Sequence, residues 1–289
     1  MPVQNLALDW QQSAVVAAGL AVAGLGLRRA RSPRVRRVAP FGVEAFVIAA
    51  LYSLWQLAGE VSVAGTTGAY ARARWIERAE HDLRLPSERD LQHLILGHRL
   101  LVESANWYYA TAHFTVLGIF LVWLFVRHRD RYPHVRNVLA VTTLVCLVIQ
   151  LLPVAPPRML PGFVDTAVRY GESVYSTGLA PDVLSAMPSV HVAWAVLVGW
   201  YAVRSSRSRW RWLGVAHAAA TVFVVVSTAN HWWADGVVGT GVLVASAWSV
   251  TGVSAWWRRV RADRLARDVD NPGAGSPLSD PPQPSIVQA

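Results

Sequence analysis

Seven apolar stretches, at about 12–28, 42–64, 107–127, 137–155, 189–204, 211–230 and 235–257, are long enough to cross, or nearly cross, a hydrocarbon core of roughly 30 Å. A backbone that crosses lipid has to satisfy its polar groups internally, and stretches of this length do so as helices. The fold class is therefore an all-α integral membrane protein. The first stretch, short and rich in Gly and Ala, reads either as a span or as a packing helix at the interface. Composition agrees, since 53% of the 289 residues are apolar and 14 are Trp. The net charge of +9 does not imply nucleic-acid binding. Its basic residues, all of them Arg, cluster between the apolar runs, where the positive-inside rule accounts for them. The single Cys146 excludes a disulfide framework and a Cys-based metal site. Ala14 to Leu27 lacks the basic segment that precedes a signal peptide's apolar core and is expected to be retained as a helix.

The Arg clusters set the topology. They comprise Arg28, Arg29, Arg31, Arg34, Arg36 and Arg37; Arg127, Arg129, Arg131 and Arg136; Arg204, Arg207, Arg209 and Arg211; and Arg258, Arg259, Arg261, Arg264 and Arg267. They occupy every second connection, which puts those connections in the cytoplasm and the N-terminus outside. The chain divides into an N-terminal helix with its basic loop (1–41), a membrane-embedded domain (42–257) and a basic tail (258–289). From Asp270 onward Pro, Gly, Ser and Asp dominate, and disorder is expected. The outer segment 65–106 balances six Arg against six acidic residues. Tyr70 to Leu83 has helical spacing, and Ser87 is placed to cap a second helix. The segment reads as a surface lid or as a solvated connector.

Three polar clusters fall on the outer side: Ala155-Pro156-Pro157-Arg158-Met159-Leu160-Pro161, Met187-Pro188-Ser189-Val190-His191 and Asn230-His231-Trp232-Trp233-Ala234-Asp235-Gly236. His231 and Asp235 are four apart. On a helix they share a face, so the carboxylate can hold one imidazole nitrogen while the other points outward. That arrangement suits a nucleophile or base, and equally a structural pair. Ser189 is placed as an N-cap with His191 in the first turn, where helix N–H groups favour an anion; ordinary capping is the alternative. Arg158 has a planar fork suited to phosphate oxygens, or it snorkels to lipid headgroups. His217 reads as an interhelical hydrogen-bonding residue. Trp107, Trp210, Trp212, Trp256 and Trp257 read as an interfacial belt, and Trp232 and Trp233 as loop anchors beside the substrate.

These clusters resemble the three signatures of the type 2 phosphatidic acid phosphatase superfamily. The likeness is strongest to the branch of fungal inositol phosphorylceramide synthases and bacterial inositol phosphotransferases. Pro188-Ser189-Val190-His191 matches the second signature, His231 to Asp235 closes the third, and Asn230-His231-Trp232 is similar to that branch. Gly162-Phe163-Val164-Asp165-Thr166 and Tyr108 to Phe114 also look like its bacterial members. Three positions depart from the common pattern: Leu151 stands where Lys is usual, Met159 where Pro is usual, and Val225 where an Arg is common. The resemblance implies a core bundle of six helices, here with an extra N-terminal helix. It implies His231 as nucleophile on phosphorus, Asp235 as its orienting carboxylate, His191 as general acid, and Arg158, Ser189 and Asn230 as phosphate contacts. His113, Tyr109 and Asp165 are secondary candidates. A lipid phosphate is the implied substrate and an inositol or other alcohol a possible acceptor, with no metal, cofactor or nucleic acid required. A headgroup transferase without phosphatase activity is one alternative; a non-catalytic membrane protein or transporter on the same fold is another.

Overall fold

The computed structural model describes residues 9–36, 38–64, 68–170 and 184–270. The described helices are α1 (Trp10–Arg29), α2 (Pro33–Arg36), α3 (Ala39–Ala64), α4 (Ala69–Asp82), α5 (Glu88–Leu96), α6 (Arg99–Arg127), α7 (Tyr132–Gln150), α8 (Thr166–Tyr170), α9 (Val190–Ser205), α10 (Trp212–Ser227) and α11 (Trp233–Asp270). Among the described residues six helical segments are long and apolar enough to cross a membrane: Trp10–Arg29, Ala39–Leu57, Arg99–Arg127, Tyr132–Gln150, Arg209–Ser227 and Trp233–Asp263. The stretch expected at 189–204 forms α9, whose 16 residues rise about 24 Å, short of a full hydrocarbon core. All seven expected stretches are thus helical, and six meet the length of a span.

Two boundaries moved for identifiable reasons. The helix expected from 107 starts at Arg99, because its first turns are polar and carry an Arg99–Glu103 ion pair at 2.6 Å that hydropathy does not register. The helix expected to reach 155 stops at Gln150, ahead of Pro153, since the residue before a proline is pushed out of the helical region. The tail from 271 onward lies outside the described residues. The chain divides into two compact units, 1–247 and 248–289. The described part of the second is the end of α11, where Trp256 and Trp257 meet edge to face at 4.7 Å.

Within the first unit the bundle is joined by close backbone crossings and by polar pairs. A Cβ on Gly199 would sit 3.1 Å from the Gly214 carbonyl oxygen, so glycine at both positions lets α9 and α10 touch backbone to backbone. The Tyr108 hydroxyl of α6 lies 2.6 Å from His217 Nδ1 and 3.2 Å from Thr221 Oγ1 of α10, the interhelical role expected of His217. Trp194 Nε1 donates to Thr143 Oγ1 at 2.9 Å, tying α9 to α7. Glu44 of α3 accepts from Arg136 and Tyr132 of α7.

Outside the spans sits a second apolar core. Ala69, Ala73 and Ile76 from α4 pack with Val154, Ala155 and Leu160, with Leu184 and Ala186, and with Trp232. A parallel bridge pairs Val154 with Ser185, through Val154 N to Leu184 O at 2.7 Å and Ala186 N to Val154 O at 3.2 Å. Trp232, 1% exposed, donates its indole N–H to Ala155 O at 3.0 Å. Truncating a buried Trp costs about 3–5 kcal/mol. The core around Trp232 thus draws on all three polar clusters, through Ala155 and Leu160, Met187, and Trp232 with Ala234.

Candidate active site

The clusters converge where α7 and α10 end and α9 and α11 begin. The Arg-rich connections lie at the other ends of α7, α9 and α10. After α10 the chain turns through Ala229, whose φ of 57° lies in the left-handed region, a conformation costing a non-glycine residue about 1–2 kcal/mol. This turn presents Ala229 O to the backbone N–H of Arg158 at 2.9 Å and delivers His231 into the interior at 4% exposure.

His231 is not a helical neighbour of Asp235, as the four-residue spacing suggested. It lies in the turn before α11, and Asp235, in the helix's first turn, reaches back. Asp235 Oδ2 accepts from Trp232 N at 2.8 Å, as an acidic residue does in half of a capping box, and lies 3.2 Å from His231 Nδ1. The same Nδ1 is 2.8 Å from Ala186 O. Two acceptors on one nitrogen place the proton on Nδ1 and leave Nε2 with its lone pair free. Nε2 faces His191 Nδ1 at 3.4 Å. The partner that sequence could not reveal is the Ala186 carbonyl, because a backbone group carries no residue signature.

Ser189 caps α9 as expected. Its Oγ accepts from Val192 N at 3.3 Å and it is fully buried, leaving the hydroxyl proton available to donate. The turn around it is held by Gln150 Nε2 to Pro188 O at 3.0 Å and Ser189 N to Asp235 O at 3.0 Å. Here α11 comes so close that a Cβ on Gly239 would stand 2.6 Å from Ser189 O, with backbone on both sides. Gly239→Ala is expected to destabilise the fold by about 1–3 kcal/mol or more, the usual range for overpacking, read as a lower midpoint of thermal unfolding in detergent.

Arg158, whose side chain is 2% exposed, is aimed by two partners: Nη1 donates to Asn230 Oδ1 at 2.6 Å, and Nε lies 3.3 Å from Asp165 Oδ2. The Asn230 amide is used at both ends, since its Nδ2 donates to Thr228 Oγ1 at 2.7 Å. Its geometry is that of an orienter of Arg158, and Asp165 is the counter-charge. Snorkelling toward lipid is excluded for Arg158 by its burial. His113 and Tyr109 sit on the far side of His191, their ring centroids 4.3 Å and 4.7 Å from its ring. With Tyr108, Thr221, Val224 and Val225 they line a cleft that includes His191.

Segment 65–106 is built into the site. Gln92 exchanges two hydrogen bonds with Val164, both at 2.9 Å, and Arg72 Nε donates to Pro153 O at 2.7 Å. Trp233 Nε1 donates to Pro86 O at 2.7 Å. Glu80 Oε1 accepts from Ala234 N at 2.6 Å and Glu88 Oε1 from Trp233 N at 3.4 Å. These two carboxyl groups were not singled out from the sequence. The signal was there: Glu80 continues the buried stripe Ala69, Ala73, Ile76 at helical spacing.

A buried histidine held through one ring nitrogen, a second histidine against its other nitrogen, and a guanidinium fixed on the adjoining loop come together in a helical membrane fold. A family model for the PAP2 superfamily matches residues 74–249, and the chain belongs to that superfamily. Its members are generally phosphatases or phosphotransferases. Comparison with curated proteins and with solved structures finds no match.

Proposed function

We propose that the protein is a membrane-embedded phosphoester hydrolase or phosphotransferase acting on a lipid-linked phosphate through a phosphohistidine at His231. The observation that carries this reading is the double anchoring of His231 Nδ1 by Ala186 O and Asp235, which leaves Nε2 as the nucleophilic atom. In the first step the Nε2 lone pair forms a bond to phosphorus as the ester P–O bond breaks. His191, as imidazolium beside the bound anion, gives a proton to the departing oxygen. In the second step water or an alcohol attacks phosphorus, His191 takes the proton back, and the P–N bond breaks. Arg158 and the Ser189 hydroxyl with the α9 N-terminus neutralise the equatorial oxygens, the main demand of phosphoryl transfer.

The Arg clusters lie at the ends of α7, α9 and α10 opposite the site, so the positive-inside rule supports an active site facing outward, with the N-terminus outside and the C-terminus cytoplasmic. A second reading, transfer to inositol without net phosphatase activity, is favoured by Asn230-His231-Trp232 and by the apolar Val225, which is 2% exposed beside the cleft.

The test is a panel of lipid phosphates given to the purified protein, with and without myo-inositol and with phosphatidylinositol as a donor. Release of inorganic phosphate identifies a phosphatase. A new inositol-containing product without phosphate release identifies a transferase. Neither product from folded protein, across the panel, overturns the enzymatic reading in favour of a non-catalytic member of the fold.

A further inference from the structure

Two acidic side chains from the outer segment end on the backbone that immediately follows the nucleophile. Glu80, on α4, and Glu88, at the start of α5, are 5% and 6% exposed. They accept from Ala234 N and Trp233 N, two of the N–H groups at the start of α11 that have no partner within the helix. The Glu88 carboxyl lies close enough to oppose a charge on Glu80. Glu80 Oε2 is buried and has no hydrogen-bond partner among the described residues.

We infer that Glu80 and Glu88 are positioning residues for the phosphoryl-transfer step, a buried carboxyl pair that docks α4 and α5 onto the first turn of α11 and so fixes the angle at which His231 and Asp235 meet. This rests on the reading of His231 as nucleophile. The charged groups facing Glu80 are Glu88 from α5 and Asp235 from α11, all acidic. Arg89 of α5 is turned to Glu77 instead, at 3.2 Å. The positive end of the α11 dipole favours one negative charge at this point, and a second would be repelled by both neighbours.

Burial, and then the neighbouring Glu88 carboxyl, push the Glu80 carboxyl up from 4.5 to about 9. A free glutamate gives up its proton near 4.5, whereas the docked one holds it to about 9. The docking therefore weakens as pH rises through that window, the reverse of a salt-bridged carboxylate. Above about pH 9 Glu80 ionises in place, still accepts from Ala234 N, and stands as a like charge beside Glu88 and Asp235, which opposes the docking.

The experiment measures kcat and KM against pH for the wild type, Glu80→Gln and Glu80→Ala, and hydrogen exchange at the Trp233 and Ala234 amides in the same three proteins. Glutamine has the shape of the protonated acid and can accept from Ala234 N, but cannot titrate. Glu80→Gln is expected to keep kcat at pH 7 within about threefold of wild type, to keep both amides protected, and to lose the alkaline fall in kcat. Glu80→Ala is expected to lose that protection and about tenfold or more in kcat, with KM changed less than about threefold, since small misplacements of reacting groups are costly. An unchanged alkaline fall in Glu80→Gln, or wild-type kcat in Glu80→Ala, overturns the inference. Loss of amide protection is scored without turnover, so a clamp that exists in a protein lacking phosphoryl transfer would indict the proposed function rather than the clamp.

Discussion

Replacing His231 by alanine is expected to lower phosphoester turnover by about 10⁴-fold or more, to the level of background hydrolysis, because a mechanism that forms a P–N bond has no first step without that nitrogen. The variant also leaves Ala186 O and Asp235 Oδ2 without the imidazole N–H, and a buried acceptor stranded in this way costs about 1–3 kcal/mol. Thermal unfolding and monodispersity in detergent must therefore be measured on the same preparation, so that lost chemistry is separated from lost fold. Rapid-quench labelling gives a direct readout. The wild type should carry acid-labile, base-stable phosphate during turnover and the variant should carry none. Retained turnover in folded His231→Ala removes His231 from the mechanism.

Asp235→Asn should be the second largest effect, about 10²–10⁴-fold in kcat with little change in stability. The substitution preserves volume at a fully buried position, and its carbonyl oxygen can still accept from Trp232 N. What it lacks is charge. Both hydrogen bonds end on Oδ2, so the asparagine oxygen can keep both, but the neutral amide no longer stabilises the positive charge that develops on the imidazole as Nε2 bonds to phosphorus. Rates for the wild type and variant on one substrate, set beside their unfolding midpoints, decide the matter. A rate within threefold of wild type would show that the carboxylate charge plays no part in the rate.

The helices were legible in the sequence because hydropathy and cap residues each carry a local physical signal. Ser87 and Ser189 occupy the N-cap positions expected of them, with Asp90 N and Val192 N as donors. Proximity of His231, Asp235, His191 and Arg158 was legible from motif order. The geometry was not. Spacing alone put His231 on the helix with Asp235, when it stands in the turn before it, because a left-handed Ala229 has no mark in residue type. Asn230 was read as a phosphate contact, and the contacts its amide makes with Arg158 and Thr228 carry no mark in the sequence. The role of the outer segment was invisible because its contacts reach across about 150 positions to the start of α11, and sequence patterns register neighbours along the chain rather than across it.

The apolar core around Trp232 has an evolutionary corollary. It binds the arginine loop, the acid's turn and the nucleophile's turn into one block, so a substitution in any of the three disturbs the other two. Diversification of substrate choice has to happen elsewhere. The walls free of that constraint are those of the cleft on the far side of His191, where Tyr109 and His113 of α6 face Val225 of α10. Exchanging the Tyr109 or His113 side chain would reshape the cleft and at the same time the packing against His191, so shape and reactivity are coupled there.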